Sequence, residues 1–335
     1  MKVEEPASLA SYLAQRGYAM EESRILPGGV SNDTVLVRLA DGSSIVVKQA
    51  RAQLKTAAEW KSDPARIRQE ALAMEWLSRW TPAGSIPRLL FLDAANHILA
   101  MEAVPQPHQE WKRLLLSGDI HLDHFSKFGE LLAAIHRGSY EERVEVEPPF
   151  RDQSFFVSLR LEPYYLYAAD REPRAAVFLR ELVLETQARR FALVHGDYSP
   201  KNVLVCGDQL VLLDHEVANF GEPTFDVGFG LTHFLSKALH LPDNRERLRA
   251  GAHAFWRAYR SGLPAIPEFT DVSERSVRHT LGCLMARVAG KSVLEYLTPT
   301  ECEAQREIVH RCMEKIPASV EDLIDQFVDC LDPTR

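Results

Sequence analysis

The sequence predicts an α+β fold in two lobes, a small β-rich N-terminal lobe over residues 1–103 and a larger, mostly helical C-terminal lobe over 104–335. Three observations carry this. Strand-like apolar runs with turn residues between them fall within the first 104 positions: the second half of 25–39, then 44–48, 86–92 and 97–101. Beyond residue 104 apolar residues recur at helical spacing, as in Phe125, Phe128, Leu132 and Ile135. A single strand–loop–strand, Leu193 to Glu216, interrupts the helical part with a short polar loop between two apolar runs. A chain of 335 residues is long enough to bury a large core in two such lobes.

The elements follow in order. Ser8 to Arg16 reads as a leading helix that ends near Gly17. In Ile25-Leu-Pro-Gly-Gly-Val-Ser-Asn-Asp-Thr-Val-Leu-Val-Arg-Leu39 the second half is strand-like, and Asp41-Gly42 turns it into Ser44-Ile-Val-Val-Lys48. Glycines let backbone approach phosphate oxygens, so Gly28, Gly29 and Ser31 are candidates to cover a nucleotide's phosphates. Lys48 can hold those phosphates or simply end a strand in water. Asp63 can cap the next helix, and Pro64 suits its first turn. Ile67, Ala71, Met74 and Ser78, with Leu77 beside them, form its inward stripe, and Glu70 falls on that face. An unpaired buried carboxylate is costly, which makes Lys48 the expected partner. The alternative is Glu70 at the stripe's edge, reaching solvent. Ile86 to Leu92 and His97 to Met101 read as two further strands. The second runs into Met101-Glu102-Ala103-Val104, a strand exit followed by a proline-containing connector, Pro105 to Pro107.

The remainder reads as mainly helical. The Phe125 stripe stops at Gly138, the acidic, proline-containing stretch Glu141 to Pro149 reads as a loop, and aromatic-rich Phe155 to Tyr167 is helix core or a substrate wall. Arg180 to Arg190, Phe229 to His240, Ala252 to Tyr259, Ser276 to Tyr296 and Glu301 to Met313 are further helices, with Gly282 and Gly290 weakening the fourth. Arg287 and Lys291 lie four apart there and would share one face, either touching substrate or solvated. The net charge of −8 argues against general nucleic-acid binding. No apolar run approaches a membrane span, and the N-terminus lacks the apolar core of a signal peptide. Five scattered cysteines, without metal-ligand spacing, suggest reduced thiols and a cytoplasmic protein.

The chemistry concentrates in Leu193-Val-His-Gly-Asp-Tyr-Ser-Pro-Lys-Asn-Val-Leu-Val205 and Leu210-Val-Leu-Leu-Asp-His-Glu216. Asp197, Asn202, Asp214 and Glu216 set three acids and an amide on one strand–loop–strand. Such a set can orient a hydroxyl and hold a divalent metal, which is what phosphoryl transfer asks of this side of a site. His195-Gly-Asp-x-x-x-x-Asn202 followed by Asp214-x-Glu216 resembles the catalytic loop and metal motif of the aminoglycoside phosphotransferase superfamily. That resemblance implies a protein-kinase-like fold and transfer of the γ-phosphoryl group of ATP to a small-molecule hydroxyl. It implies Asp197 on the acceptor hydroxyl, and Asn202 and Asp214 on Mg2+ with Glu216 assisting. It also implies Lys48, held by Glu70, on the phosphates, and Met101, Glu102 and Val104 at the adenine edge. His195 is then a scaffold residue, and Asp226 an anchor for the loop's backbone N–H groups or a plain helix cap. Ser199 and Lys201 touch the transferred phosphate or merely shape the loop.

Val47-Lys-Gln-Ala50, the Trp60 to Leu72 stretch and Ala218 to Gly228 are similar to the methylthioribose kinase subfamily. Asn202 stands where that subfamily carries Ser, and Ala286-Arg287 where it carries paired arginines. The acceptor expected from sequence is therefore a hydroxylated, sugar-like metabolite, with methylthioribose and aminoglycosides as alternatives. A rival of another class is an inactive kinase-fold binding protein, against which Lys48, Asp197, Asn202 and Asp214 all stand. Oligomeric state is left open.

Overall fold

Alternation along the strands decides which side of the N-terminal sheet meets the site. The structure is a computed structural model that describes residues 1–27, 31–53 and 62–331. Helix α1 (Pro6–Ala14) precedes strands β1 (Met20–Ile25), β2 (Asn32–Leu39) and β3 (Ser44–Ala50). Helix α2 (Arg66–Trp80) follows, then β4 (Leu89–Asp93) and β5 (Ile98–Glu102). The five strands form one antiparallel sheet in the order β1-β2-β3-β5-β4. Ile45 and Val47 of β3 pack with Val35, Val37, Ile98 and Ala100 under Leu9 and Leu13 of α1. Val46 joins the other core, which includes Ile67, Ala71 and Met74 of α2. Because successive side chains point to opposite faces, Lys48 lies on the α2 side, away from α1. Asp63 accepts the Ala65 N–H at 2.9 Å, so it closes a turn one step before the helix, which begins at Arg66.

The rest is mostly helical. It opens with β6 (Gln109–Glu110), α3 (Trp111–Leu116), α4 (Leu122–Glu141) and α5 (Arg143–Phe150). Next come α6 (Ser154–Phe156), a π-helical segment (Val157–Leu166), α7 (Tyr167–Ala169) and α8 (Ala176–Ala188). Strands β7 (Ala192–Val194), β8 (Val203–Cys206), β9 (Gln209–Leu212) and β10 (Asn219–Gly221) carry the polar loops. Helices α9 (Thr224–His240), α10 (Arg245–Ser261), α11 (Val272–Ala289), α12 (Pro299–Glu314) and α13 (Val320–Asp329) complete the chain. Strand β7 pairs β10, and β6-β8-β9 form a second small sheet, so residues 195–202 bridge the two.

Three expectations are corrected here, and one strand is added. Helix α4 runs through Gly138, because a Cβ there would meet the Trp80 side chain at 2.4 Å; the glycine makes room for the indole rather than stopping the helix. The expected loop at Glu141 to Pro149 is largely α5, held by buried Val146 and Phe150 four residues apart. Strand β1 was not expected, since Met-Glu-Glu-Ser-Arg-Ile is mostly exposed at a sheet edge, where charged residues are normal. Helix α11 ends at Ala289, with Gly290 as its cap, so Lys291 lies outside the helix and does not continue the Arg287 face. All five cysteines are free, and no helix among the described residues is long and apolar enough to cross a membrane.

Candidate active site

Asp226, at the start of α9, organises the first loop. Its two carboxylate oxygens accept the N–H groups of His195 (2.7 Å) and Gly196 (2.8 Å). Gly196 needs its φ of +78°, and a Cβ there would meet Val217 at 2.8 Å. The fully buried His195 ring lies 3.2 Å from the Leu213 carbonyl through Nε2, and its Nδ1 accepts the Asp197 N–H. Burial holds that imidazole below its usual pKa, so it is neutral and can accept through Nδ1. The Asn202 side chain donates to the Asp197 carbonyl at 2.9 Å and closes the loop.

Asp197 itself is 3% exposed. Burial alone would raise its pKa, but Arg160 and Lys201 reverse this and hold it well below the usual carboxylate range. Arg160 Nη2 lies 3.1 Å and Lys201 Nζ 3.2 Å from the same oxygen, Oδ2. Arg160 also donates to the Gly196 carbonyl at 2.5 Å. It projects from the π-helical segment that contains Pro163. Proline has no N–H to donate, and π-helical turns commonly occur at functional sites. Sequence reasoning missed Arg160; the aromatic run around it drew attention only as helix core or a substrate wall.

The second constellation lies under the sheet. Lys48 Nζ is 2.5 Å from Glu70 Oε1 and 3.7 Å from Asp214 Oδ1. Burial would lower the Lys48 pKa, but Glu70, Asp214 and Glu216 outweigh it and keep the ammonium charged. Burial, with Asp214 and Glu216 nearby, lifts Glu70 despite Lys48. One oxygen each from Glu70, Asp214 and Glu216 lie within 4.8 Å of one another. Glu70 Oε2 is buried without a hydrogen bond. A surplus of carboxylate charge around an unpartnered oxygen is what a divalent cation relieves, so this donor set fits magnesium. Asp214 holds φ at +67°, a region that Asp and Asn enter more readily than most residues.

Glu216 has further partners. Arg66 Nε lies 3.0 Å and Asn32 Nδ2 3.2 Å from its Oε2. Arg66, fully buried, also donates to the Ser31 carbonyl at 2.5 Å, to Arg51 at 2.9 Å and to Asp63 at 3.2 Å. One guanidinium thus ties the start of β2, the approach to α2 and the Asp214-x-Glu216 turn together. Gly28 and Gly29 lie outside the described residues. At the end of β5, Met101 is buried, Glu102 is exposed and paired with Arg88, and Val104 is half-buried. Arg287, 6% exposed, bonds Ser292 and His233 within electrostatic reach of Asp197. Lys291 is exposed and stands over the Tyr167 ring.

Comparison with known proteins gives the family and the fold. Residues 22–269 match the family model described as "Phosphotransferase enzyme family". The chain is 23% identical over 278 residues to a methylthioribose kinase of Erwinia tasmaniensis, covering 71% of this chain and 68% of that protein. A choline/ethanolamine kinase family protein from Mesorhizobium loti superposes with a TM-score of 0.53 at 15% identity, covering 98% of each chain. An aminoglycoside 2'-phosphotransferase, solved as its GDP complex, superposes with a TM-score of 0.52 at 12% identity, covering 97% of this chain and 96% of that one. At these identities the two structures show a shared α+β fold, an N-terminal antiparallel sheet followed by a mostly helical region.

Proposed function

The chain belongs to the phosphotransferase enzyme family, and from that premise we propose that it moves the γ-phosphoryl group of ATP onto a hydroxyl of a sugar-like small molecule. The observation that supports this best is Asp197, a buried carboxylate kept ionised by two cations that both sit on Oδ2. Oδ1 is then the oxygen that receives the acceptor's O–H. So weak a base orients the hydroxyl and takes its proton late, which suits a loose transition state in which little base strength is required. Lys201, whose side chain reaches solvent, is placed to follow the phosphoryl oxygens during transfer. Lys48, held by Glu70, grips the nucleotide phosphates from the sheet side, and Gly28, Gly29 and Ser31 are the residues expected to cover them. Asn202 and Asp214 would hold the metal with Glu216 beside them, and Arg66 fixes Glu216. Magnesium bound there offsets negative charge on the phosphate oxygens. Met101, Glu102 and Val104 face the adenine edge, and the two lobes divide near residue 103. Acceptor-stimulated ADP release, screened over sugars, amino alcohols and aminoglycosides, tests the reading. No stimulation by any hydroxylated compound would count against it.

The Lys48–Glu70 contact makes a separate expectation. Lys48→Met and Glu70→Gln each lower kcat/KM, and the double variant costs less than the two single losses combined. Residues in contact typically couple by about 0.5–3 kcal/mol. Strictly additive losses would show that the pair does not act as a unit.

A further inference from the structure

The acceptor end of the site is built from cations. Beyond Arg160 and Lys201 on Asp197, the guanidinium of Arg287 stands 4.9 Å from the Tyr164 ring centroid and 5.0 Å from Phe229. Arg160 contacts the same two rings from 5.8 and 5.9 Å, so the aromatic pair joins the two arginines into one wall. Among the described residues Arg287 pairs with no carboxylate: it uses Ser292 O and Oγ at 2.9 Å and His233 Nε2 at 3.2 Å. Its Nε is buried with no hydrogen-bond partner. Behind it, fully buried Lys237 donates to the His233 carbonyl at 3.2 Å and lies 5.1 Å from the Tyr296 ring, whose hydroxyl is also buried and unpartnered.

Among the described residues, the carboxylates that act on Lys237 are already paired. Glu295 is paired with Lys112, and Glu110 with Arg113. Asp197 carries two cations already. Burying charge of one sign without a counter-charge is costly, and an Arg donor left unpaired adds to that cost. Burial beside Lys112 pushes Lys237 down to about 7, the direction expected for an ammonium lacking its anion. Burial and the charges of Arg287, Lys237, Lys201 and Lys112 hold His233 neutral. An amine-bearing acceptor would need free carboxylates, and among the described residues Arg287 and Lys237 have none beside them.

We propose that the acceptor is an anion, a hydroxylated small molecule that also bears a carboxylate or a phosphate ester, received by Lys201 and Arg287 with Lys237 and His233 behind them. This rests on Asp197 being the carboxylate that meets the acceptor hydroxyl. The test is ADP release at saturating Mg–ATP over matched panels of neutral sugars, sugar acids, sugar phosphates and aminoglycosides. One of the anionic panels exceeds its neutral counterpart in kcat/KM by at least about tenfold, the scale of one hydrogen bond to a charged group. Which panel wins separates carboxylate from phosphate. Arg287→Gln then brings that preference close to unity through the acceptor KM, while the KM for ATP stays near wild type. Wild-type enzyme carries the main comparison, so the test does not depend on the variant folding. Equal or better turnover of neutral sugars or aminoglycosides overturns the anionic acceptor and leaves phosphoryl transfer standing. Absence of acceptor-stimulated turnover in every panel overturns both.

Discussion

Replacing Asp197 by Ala slows turnover by roughly 10²- to 10⁴-fold, the usual contribution of a positioned acid or base, while Mg–ATP binding stays near wild type. The nucleotide is expected to meet Lys48 and Asp214, whereas Asp197 meets only the acceptor. The substitution also strips Arg160 of its counter-charge in a site where that arginine is 8% exposed. Removing one partner of a buried ion pair destabilises by about 3–5 kcal/mol, so a lower melting temperature accompanies the loss of rate. Asp197→Asn keeps the volume and an oxygen acceptor for Arg160 and separates the two effects. Its melting temperature recovers most of the drop, and its turnover stays low. Calorimetry of Mg–ATP and steady-state rates on the folded variants decide the matter. Near-normal turnover in Asp197→Asn would remove Asp197 from the acceptor hydroxyl.

Asp214→Asn abolishes transfer and weakens magnesium-supported ATP binding by at least about tenfold, since even a group behind the ligand shell costs 10- to 100-fold. The exchange is unusually clean at this position. Asn accepts a positive φ as readily as Asp, so the +67° backbone is not strained further. What changes is one negative charge 3.7 Å from Lys48. ATP titrations with and without magnesium, in wild type and variant, read the effect directly. Equal strengthening by magnesium in both proteins would show that Asp214 is not a ligand.

Much of this site was legible in the sequence because its residues break local rules. Glu70 is a carboxylate on an otherwise apolar helix stripe, and such a residue demands a cation; the structure puts Lys48 there. Asp197 and Asn202 stand in a polar loop between apolar strands, where nothing about packing calls for them. Other parts were hidden for equally physical reasons. Arg160 meets Asp197 across 37 positions of chain, from a helical segment whose aromatic residues read as core or a substrate wall and drew attention away from the arginine among them. Arg66 lies on α2 one turn before Glu70 and was passed over, because its five contacts reach four separate stretches of chain, at Ser31, Arg51, Ser62–Asp63 and Glu216. Gly138 looked like a helix stop because sequence cannot show the Trp80 ring lying against it. The Arg287–Lys291 pair assumed a helix that continues, and Gly290 ends it.

The most direct measurement is of the product itself. Wild-type protein incubated with Mg–ATP and the best acceptor from the screens is analysed by phosphorus NMR and mass spectrometry, beside Asp197→Asn under the same conditions. The expected result is a phosphomonoester on an acceptor hydroxyl, formed together with ADP by the wild type and scarcely at all by the variant. A phosphoryl group recovered on nitrogen or on a carboxylate, or ester formed at equal rates by both proteins, would contradict transfer to a hydroxyl held by Asp197.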